Sequence, residues 1–212
     1  MINLFNEDCL PAMRRMKDKQ YDIAICDPPY GIGHIKNNLF GLIEWNEEIP
    51  EKEYFTQLFR VSRNQIIWGE NYLNPFIPNG GRIVWNKLLT PIYEKTFSQC
   101  EIAYCSMQKR ISIFNYQWSG NVQNGKMNIK NIGIDSRIHP TQKPVSLYEW
   151  LLTHYAKFGD TILDTHGGSM SIAIACDILG FDLDLYEIDE DYFRAGKERL
   201  ERHQKQHKLE FE

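Results

Sequence analysis

Two strand-to-helix units follow one another closely near the C-terminus, and no other feature constrains the fold as tightly. Thr161-Ile162-Leu163-Asp164 reads as a strand and Thr165-His166-Gly167-Gly168-Ser169 as the turn after it. Met170 to Leu179 then reads as a helix closed by Gly180, Asp182 to Glu187 as the next strand, and Glu190 to about Gln206 as a charged final helix. Strands alternating with helices at this spacing build an α/β fold with a mostly parallel central sheet and helices on both faces. Earlier segments supply more of the same. Ile2 to Phe5, Tyr21 to Cys26, Gln65 to Gly69, Arg82 to Trp85 and Glu101 to Cys105 read as strands. Asp8-Cys9-Leu10-Pro11 opens a helix, and Glu51 to Arg63 and Val145 to Lys157 carry helical spacing. Gly31 to Pro50 and Ser119 to Ser136 read as loops, the first long and flexible. With 212 residues and no separate linker, one domain spanning 1–212 is expected.

The strand Tyr21 to Cys26 runs directly into Asp27-Pro28-Pro29-Tyr30. Neither proline can donate to a sheet ladder, so the strand stops at a rigid turn. Strand ends are where α/β sheets hold ligands. A carboxylate, two fixed carbonyls and an aromatic ring are thereby offered together. That set suits gripping a planar, amino-bearing base by stacking and by accepting its N–H hydrogens.

A second site is written at Asp164 to Glu187. Glycines at the turn let the backbone approach a ligand closely, and the following helix N-terminus offers unpaired N–H groups. Glu187 follows Asp164 at the distance where a dinucleotide fold places the acid that binds ribose hydroxyls, ~20 residues on. No G-x-x-x-x-G-K-[ST] loop is present, which disfavours ATP.

The remaining bulk properties exclude several classes. No stretch approaches the ~20 apolar residues of a membrane span, and the first residues lack a secretory signal pattern. Five cysteines without a C-x-x-C pair read as reduced thiols of a cytoplasmic protein, with no zinc or other metal site expected. The net charge of −4 is unevenly spread. Between Met107 and Tyr148, Lys109, Arg110, Lys126, Lys130, Arg137 and Lys143 face Asp135 alone, so this stretch carries +5 and the rest −9. A basic middle in an acidic chain fits phosphate contact, and equally a solvated lysine-rich loop region.

Taken together, these motifs resemble those of S-adenosylmethionine-dependent DNA amino-methyltransferases. Asp27-Pro-Pro-Tyr30 is similar to the [DNS]-P-P-[YFW] motif of enzymes that methylate adenine N6 or cytosine N4. His139-Pro-Thr-Gln-Lys-Pro144, Asp164-Thr-His-Gly-Gly-Ser169 and Tyr186-Glu-Ile-Asp-Glu-Asp-Tyr-Phe193 look like further family elements, and the resemblance covers residues 1 to about 200. The catalytic motif precedes the cofactor motif, an order that resembles the circularly permuted beta class. The short chain and Thr165-His166 are similar to small, often phage-borne adenine methyltransferases. The chain departs from the usual Asp-Pro-Phe-x-Gly-Ser-Gly turn, with His166 for the aromatic and Met170 for the last glycine. A side chain at Met170 is expected to narrow the methionine end of the cofactor pocket. The target-recognition insertion, about 86–138, is small. That size points to a short recognition sequence or to help from a second copy in a homodimer.

The resemblance implies a Rossmann-like methyltransferase fold, S-adenosylmethionine as cofactor and DNA as substrate. It assigns the Asp27 carboxylate and the Pro28 carbonyl as acceptors for the two amino hydrogens. Pro29 would stiffen the turn and Tyr30 would stack on the extruded base. Trp45 would belong to a closing loop. For the cofactor it implies Glu187 on the ribose, Asp164 and His166, Gly167, Gly168 and Ser169 on the methionine part. Asp8 and Cys9 would lie near the adenine, and Lys143 would reach the methionine carboxylate or hold the turn. The bland alternatives are a helix cap at Asp8, a core histidine at His166 and a helix approach shaped by His139 and Lys143. Aspartate at the first motif position favours adenine N6. The rival readings are cytosine N4, a silent nucleic-acid-binding subunit and a nicotinamide oxidoreductase. Cytosine C5 chemistry is disfavoured because no cysteine follows a proline.

Overall fold

Along Tyr21–Cys26, Ile23 and Ile25 pack to one side while Ala24 and Cys26 pack to the other, and all four are buried. A strand buried on both faces must lie inside a sheet covered twice. The computed structural model describes residues 1–33, 35–37, 41–43, 48–74, 76–88, 98–119, 122–123, 126–127 and 137–209. In chain order the elements are β1 (Ile2–Phe5), α1 (Cys9–Arg15), β2 (Tyr21–Cys26), β3 (Ile35–Asn37), β4 (Gly41–Ile43), α2 (Lys52–Val61), β5 (Ser62–Trp68), β6 (Gly81–Asn86), β7 (Cys100–Cys105) and β8 (Ile111–Asn115). There follow β9 (Trp118–Ser119), β10 (Val122–Gln123), β11 (Lys126–Met127), α3 (Val145–Tyr155), β12 (Thr161–Asp164), α4 (Ser171–Leu179), β13 (Asp182–Tyr186) and α5 (Glu190–Leu209).

The main sheet has the order β1-β13-β12-β2-β5-β7-β6-β8. It is parallel from β1 through β5, with Ile23 opposite Ile162 and Ala24 opposite Leu163. Only β7 runs the other way, pairing antiparallel with both β5 and β6. Helices α1 and α2 cover one face, where Met13, Tyr54, Phe55 and Leu58 meet Ala24, Cys26, Ile67 and Leu163. Helices α3, α4 and α5 cover the other, where Leu147, Leu151, Ile172 and Leu200 meet Ile23, Ile25, Trp68 and Trp85. The expected mostly parallel, doubly covered sheet is therefore the one found.

Two regions read as loops contain short ladders. β3 and β4 pair antiparallel with Ile35 opposite Ile43, and β9, β10 and β11 form a small separate sheet. Strands of two or three residues are too short to show a period, which is why alternation does not reveal them. Trp45, Lys130 and most of the stretch from 120 to 136 lie outside the described residues. Among the described residues no helix is long and apolar enough to cross a membrane, and the five cysteines are free thiols.

Candidate active site

Because β2, β12 and β13 are parallel neighbours, their carboxyl ends open on one edge of the sheet. A cavity of about 320 Å³ lies there, large enough for a small-molecule ligand. Asp27 and Pro29 from the end of β2 line it together with His166, Gly167, Gly168 and Ser169 from the turn after β12 and Glu187 from the end of β13. His139, Thr141, Gln142, Lys143 and Tyr148 close a further side, and Ile188, Asp189 and Tyr192 complete the walls. The two motifs thus meet in one space. A second hollow, about 460 Å³, lies between Met1, Phe181 and Leu200 and contains none of these residues.

The turn after β12 is shaped by backbone hydrogen bonds to acids. Gly168 N donates to Glu187 Oε2 at 2.7 Å, and Asp189 N donates to Glu187 Oε1 at 2.9 Å. Each carboxylate oxygen retains a lone pair for a ligand hydroxyl. His166 N donates to Asp164 Oδ1 at 3.0 Å. Burial pushes the Asp164 carboxyl up to about 8 and holds the His166 imidazole down at about 4. A Cβ at Gly167 would sit 2.3 Å from the Leu185 side chain, so any other residue there would displace that buried leucine. Buried Arg199 of α5 donates to Ser169 O at 2.7 Å and Ser171 Oγ at 2.9 Å, and Ser171 Oγ donates to Lys143 O at 2.7 Å. The glycine turn and the His139 to Pro144 segment are therefore fastened to each other.

The acceptor side is organised by side chains. The Tyr30 hydroxyl donates to Asp27 Oδ1, and Lys143 Nζ lies 2.5 Å from Asp27 Oδ2. The same ammonium lies 3.0 Å from Glu101 Oε2, and Lys87 Nζ lies 2.7 Å from Glu101 Oε1. Burial pushes the Asp27 carboxyl above its ordinary range, and Lys143 is the main charge opposing that. Burial would lower Lys143, but Asp27 and Glu101 hold it above its usual value. Burial would likewise raise Glu101, yet Lys143 and Lys87 keep it at about 2. The Tyr30 ring stacks on Tyr72 at 5.4 Å and rests against Gly69, whose φ of 74° and missing Cβ make the room.

Other residues named from the sequence fall differently. Asp8 caps α1 by accepting from Leu10 N at 2.9 Å, and Cys9 is buried beside it; neither lines the cavity. Pro28 is buried and does not line the cavity, whereas Pro29 does. Lys143 lines the cavity, but its ammonium is engaged by Asp27 and Glu101 rather than left facing the glycine turn. His139 is buried against the Tyr192 ring at 4.3 Å, and burial brings its imidazole down to about 3.

Met170 overturns an expectation. Its backbone takes the left-handed conformation of a glycine (φ 56°), but its side chain is fully buried in the core and does not line the cavity. A Cβ on Gly196 of α5 would lie 2.7 Å from Met170 Cγ, so Gly196 supplies the space. The basic middle is also less of a surface than its charge suggests, because Lys143 is internal while Lys109 and Arg110 are exposed.

Sequence reasoning missed Glu101, Lys87, Ile188, Tyr192 and Arg199. Tyr192 and Ile188 both lie in the Tyr186 to Phe193 motif, and Ile188 carried a further local signal, being an apolar residue set between Glu187 and Asp189. It is 69% exposed and lines the cavity, an apolar platform beside an acid.

Comparison with known proteins places the fold and the family. The chain is 22% identical to the type II methyltransferase M.HpaI of Haemophilus parainfluenzae over 93% of its length and 74% of that protein's. It is 24% identical to the DNA adenine methyltransferase YhdJ of Escherichia coli, over 93% and 82%. Among solved structures, an M1.HpyAVI–SAM complex superposes with a TM-score of 0.62 at 18% identity, covering 94% of this chain and 100% of that one. The cytosine-N4-specific PvuII DNA methyltransferase gives 0.61 at 12% identity, covering 96% and 90%. Residues 84–198 match the family model N6_N4_Mtase, described as DNA methylase, an interval holding the glycine turn and Glu187 but not Asp27. More than half of the chain lies in that match, and the chain belongs to this DNA methylase family.

Proposed function

We propose that this chain transfers a methyl group from S-adenosylmethionine to the N6 amino group of adenine in DNA, acting on a base turned out of the helix. One observation carries the reading: Asp27 and the Gly167–Ser169 turn with Glu187 line the same cavity. The cavity suits the cofactor's chemistry. Ile188 offers an apolar platform to a purine, and Glu187 has lone pairs for ribose hydroxyls. When bound, S-adenosylmethionine supplies an electrophilic methyl group on a sulfonium.

The chain's own residues do the rest. An exocyclic amino group is a weak nucleophile because its lone pair is delocalised into the ring. Asp27 accepts one amino hydrogen and the Pro28 carbonyl the other, which turns the lone pair out of the ring plane. The Asp27 carboxylate also balances the positive charge that develops on nitrogen. Lys143 opposes the upward push of burial on that carboxyl, and Tyr30 fixes its orientation through Oδ1. No covalent enzyme intermediate is needed. The target-recognition region falls within about 86–138 of a single methyltransferase domain, 1–212.

Aspartate at position 27 favours adenine N6, and YhdJ, whose name gives that specificity, is among the relatives. The second reading is cytosine N4, favoured by the similar fit to PvuII DNA methyltransferase. A silent subunit loses its main support, since Met170 is packed in the core and leaves the cavity clear. The test is incubation with methyl-labelled S-adenosylmethionine and duplex DNA, followed by nucleoside digestion. N6-methyladenine that disappears in Asp27→Ala is expected. N4-methylcytosine would shift the assignment to the second reading, and label only in RNA or protein would overturn DNA as substrate.

A further inference from the structure

Lys143 presents an electrostatic problem that Asp27 alone does not solve. An ammonium 2.5 Å from the Asp27 carboxylate neutralises it. A neutral pair does little for a positive charge growing on a nearby nitrogen, although such preorganised charge is a large part of transfer catalysis. Glu101 stands on the far side of the same ammonium, 3.0 Å from Nζ. It changes the share, because one ammonium then serves two carboxylates and cancels Asp27 only in part, the charge of Glu101 being met in turn by Lys87 at 2.7 Å.

The topology explains how Glu101 reaches this place. β7 is antiparallel to β5, with Trp68 opposite Ala103, so its first residues project beyond the carboxyl end of β5. On β6, Trp85 stands opposite Glu101, which brings Lys87 to the same edge. Lys87 Nζ is 2.7 Å from Glu101 Oε1 and 5.2 Å from the centre of the Trp85 ring. Lys143 Nζ likewise lies 5.5 Å from the centre of the fully buried Trp68 ring. Each ammonium thus has an indole and Glu101 as shared supports. Asp27 is faced by Lys143 from the segment before α3, Glu101 from β7, the Tyr30 hydroxyl from its own turn, Tyr148 from α3 and Asp164 from β12.

We propose that Glu101, braced by Lys87, is a positioning residue for methyl transfer: it holds Lys143 from behind, so that the lysine opposes protonation of Asp27 without cancelling its charge toward the base. This rests on the methyl-transfer reading above. Glu101 touches neither base nor cofactor and acts through Lys143.

The experiment pairs single-turnover methyl transfer to duplex DNA with carbon NMR of aspartate-labelled protein, the Asp27 carboxyl resonance being assigned by Asp27→Asn. Glu101→Gln, isosteric and uncharged, is expected to slow transfer on the order of 10²-fold, as loss of one preorganised charged group does. S-adenosylmethionine affinity should stay within about twofold, because this is a loss in the chemical step alone. The Asp27 resonance should titrate at lower pH, since a repelling carboxylate is gone and Lys143 turns wholly to Asp27. In Lys143→Met the same resonance should move the other way, to higher pH. Glu101→Asp should recover part of the rate, and Lys87→Met should lose less than Glu101→Gln. Should Glu101→Gln fail to fold, Lys87→Met must still slow transfer and shift the Asp27 titration. Unchanged rate and unchanged Asp27 titration in Glu101→Gln, or loss of rate only through loss of cofactor binding, would overturn the proposal. If the unaltered protein methylates no DNA, the methyl-transfer reading fails, and the opposite titration shifts of the two variants then decide the electrostatic coupling by themselves.

Discussion

The two halves of the cavity are held by different kinds of bond. Around Gly167, Gly168 and Glu187 the contacts run from backbone N–H groups to carboxylates within one strand-turn-helix-strand unit. Around Asp27 they run between side chains from β2, β6, β7 and the segment before α3, elements far apart in the chain. Backbone-to-acid bonds tolerate many side chains and need only glycines and an acid at set spacing. An ion cluster has no such tolerance, since each charge is desolvated and each depends on the next. The cofactor half should therefore yield gradually to substitution, and the acceptor half abruptly.

Removing Lys143 tests that contrast with the largest effect. Burial already pushes Asp27 upward, and Lys143 is what opposes it. In Lys143→Met the carboxyl should hold its proton to higher pH, and a protonated acid loses the charge that balances the developing ammonium. Transfer should fall on the order of 10³-fold at pH 7. The acid limb of the rate profile should move to higher pH, so that raising the pH recovers part of the loss. A rate profile with the acid limb unmoved would mean that Lys143 acts elsewhere.

The cofactor half has its own buried acid, with a different signature. The folded Asp164 carboxyl lies at about 8, against about 3.8 in an open chain. The folded state then holds the proton that the unfolded state has lost, so stability falls as pH rises through this window. Each pH unit within it costs up to ~1.4 kcal/mol from this group. In Asp164→Asn that slope should flatten while the hydrogen bond from His166 N is kept. Urea unfolding at pH 5, 7 and 8.5 measures both. An unchanged slope in the variant would show that Asp164 is ionised in the folded protein.

Much of this was legible in the sequence, and the pattern of what was not follows from the same contrast. Asp164, Gly167, Gly168 and Glu187 could be named because their partners sit in the same local unit. Asp27 could be named because two prolines fix the turn it begins. Glu101 could not, because nothing local marks it: it is one acid at the start of a strand, and only the reversal of β7 brings it to Lys143. Lys143 was named, but from its segment alone it could be sent to the cofactor as readily as to Asp27. The β3–β4 ladder and the small β9–β11 sheet escaped for want of length.

Gly69 lets the acceptor half be disturbed without touching a charge. A Cβ there would meet the Tyr30 ring at 2.1 Å, and its φ of 74° is costly for any other residue. Gly69→Ala should cost ~1–3 kcal/mol in stability through backbone strain. Tyr30 must also move, releasing Asp27 Oδ1, so transfer should drop by about tenfold. Cofactor affinity should be unaffected. Equal losses in both would mean that the two halves of the cavity are less separable than their bonding suggests.

The smallest effect concerns Met170, where the cofactor half departs from its own local rule. A left-handed methionine costs roughly 1–2 kcal/mol against glycine, and its buried side chain repays that by filling the space over Gly196. Met170→Gly should relieve the strain but leave a cavity, a net loss of about 1–3 kcal/mol. Gly196→Ala alone gains ~1 kcal/mol of helix propensity, but its Cβ would crowd Met170 Cγ at 2.7 Å and Gly168 O at 3.2 Å, so it should destabilise. With Met170→Gly already present, the first of those contacts is gone and the same alanine should become neutral or stabilising. That change of sign is the signature of two residues sharing one space. S-adenosylmethionine affinity should stay level through the cycle, since neither side chain lines the cavity. A gain in affinity on Met170→Gly would mean instead that the methionine reaches the cofactor, and the glycine turn would then be no more self-contained than the ion cluster across from it.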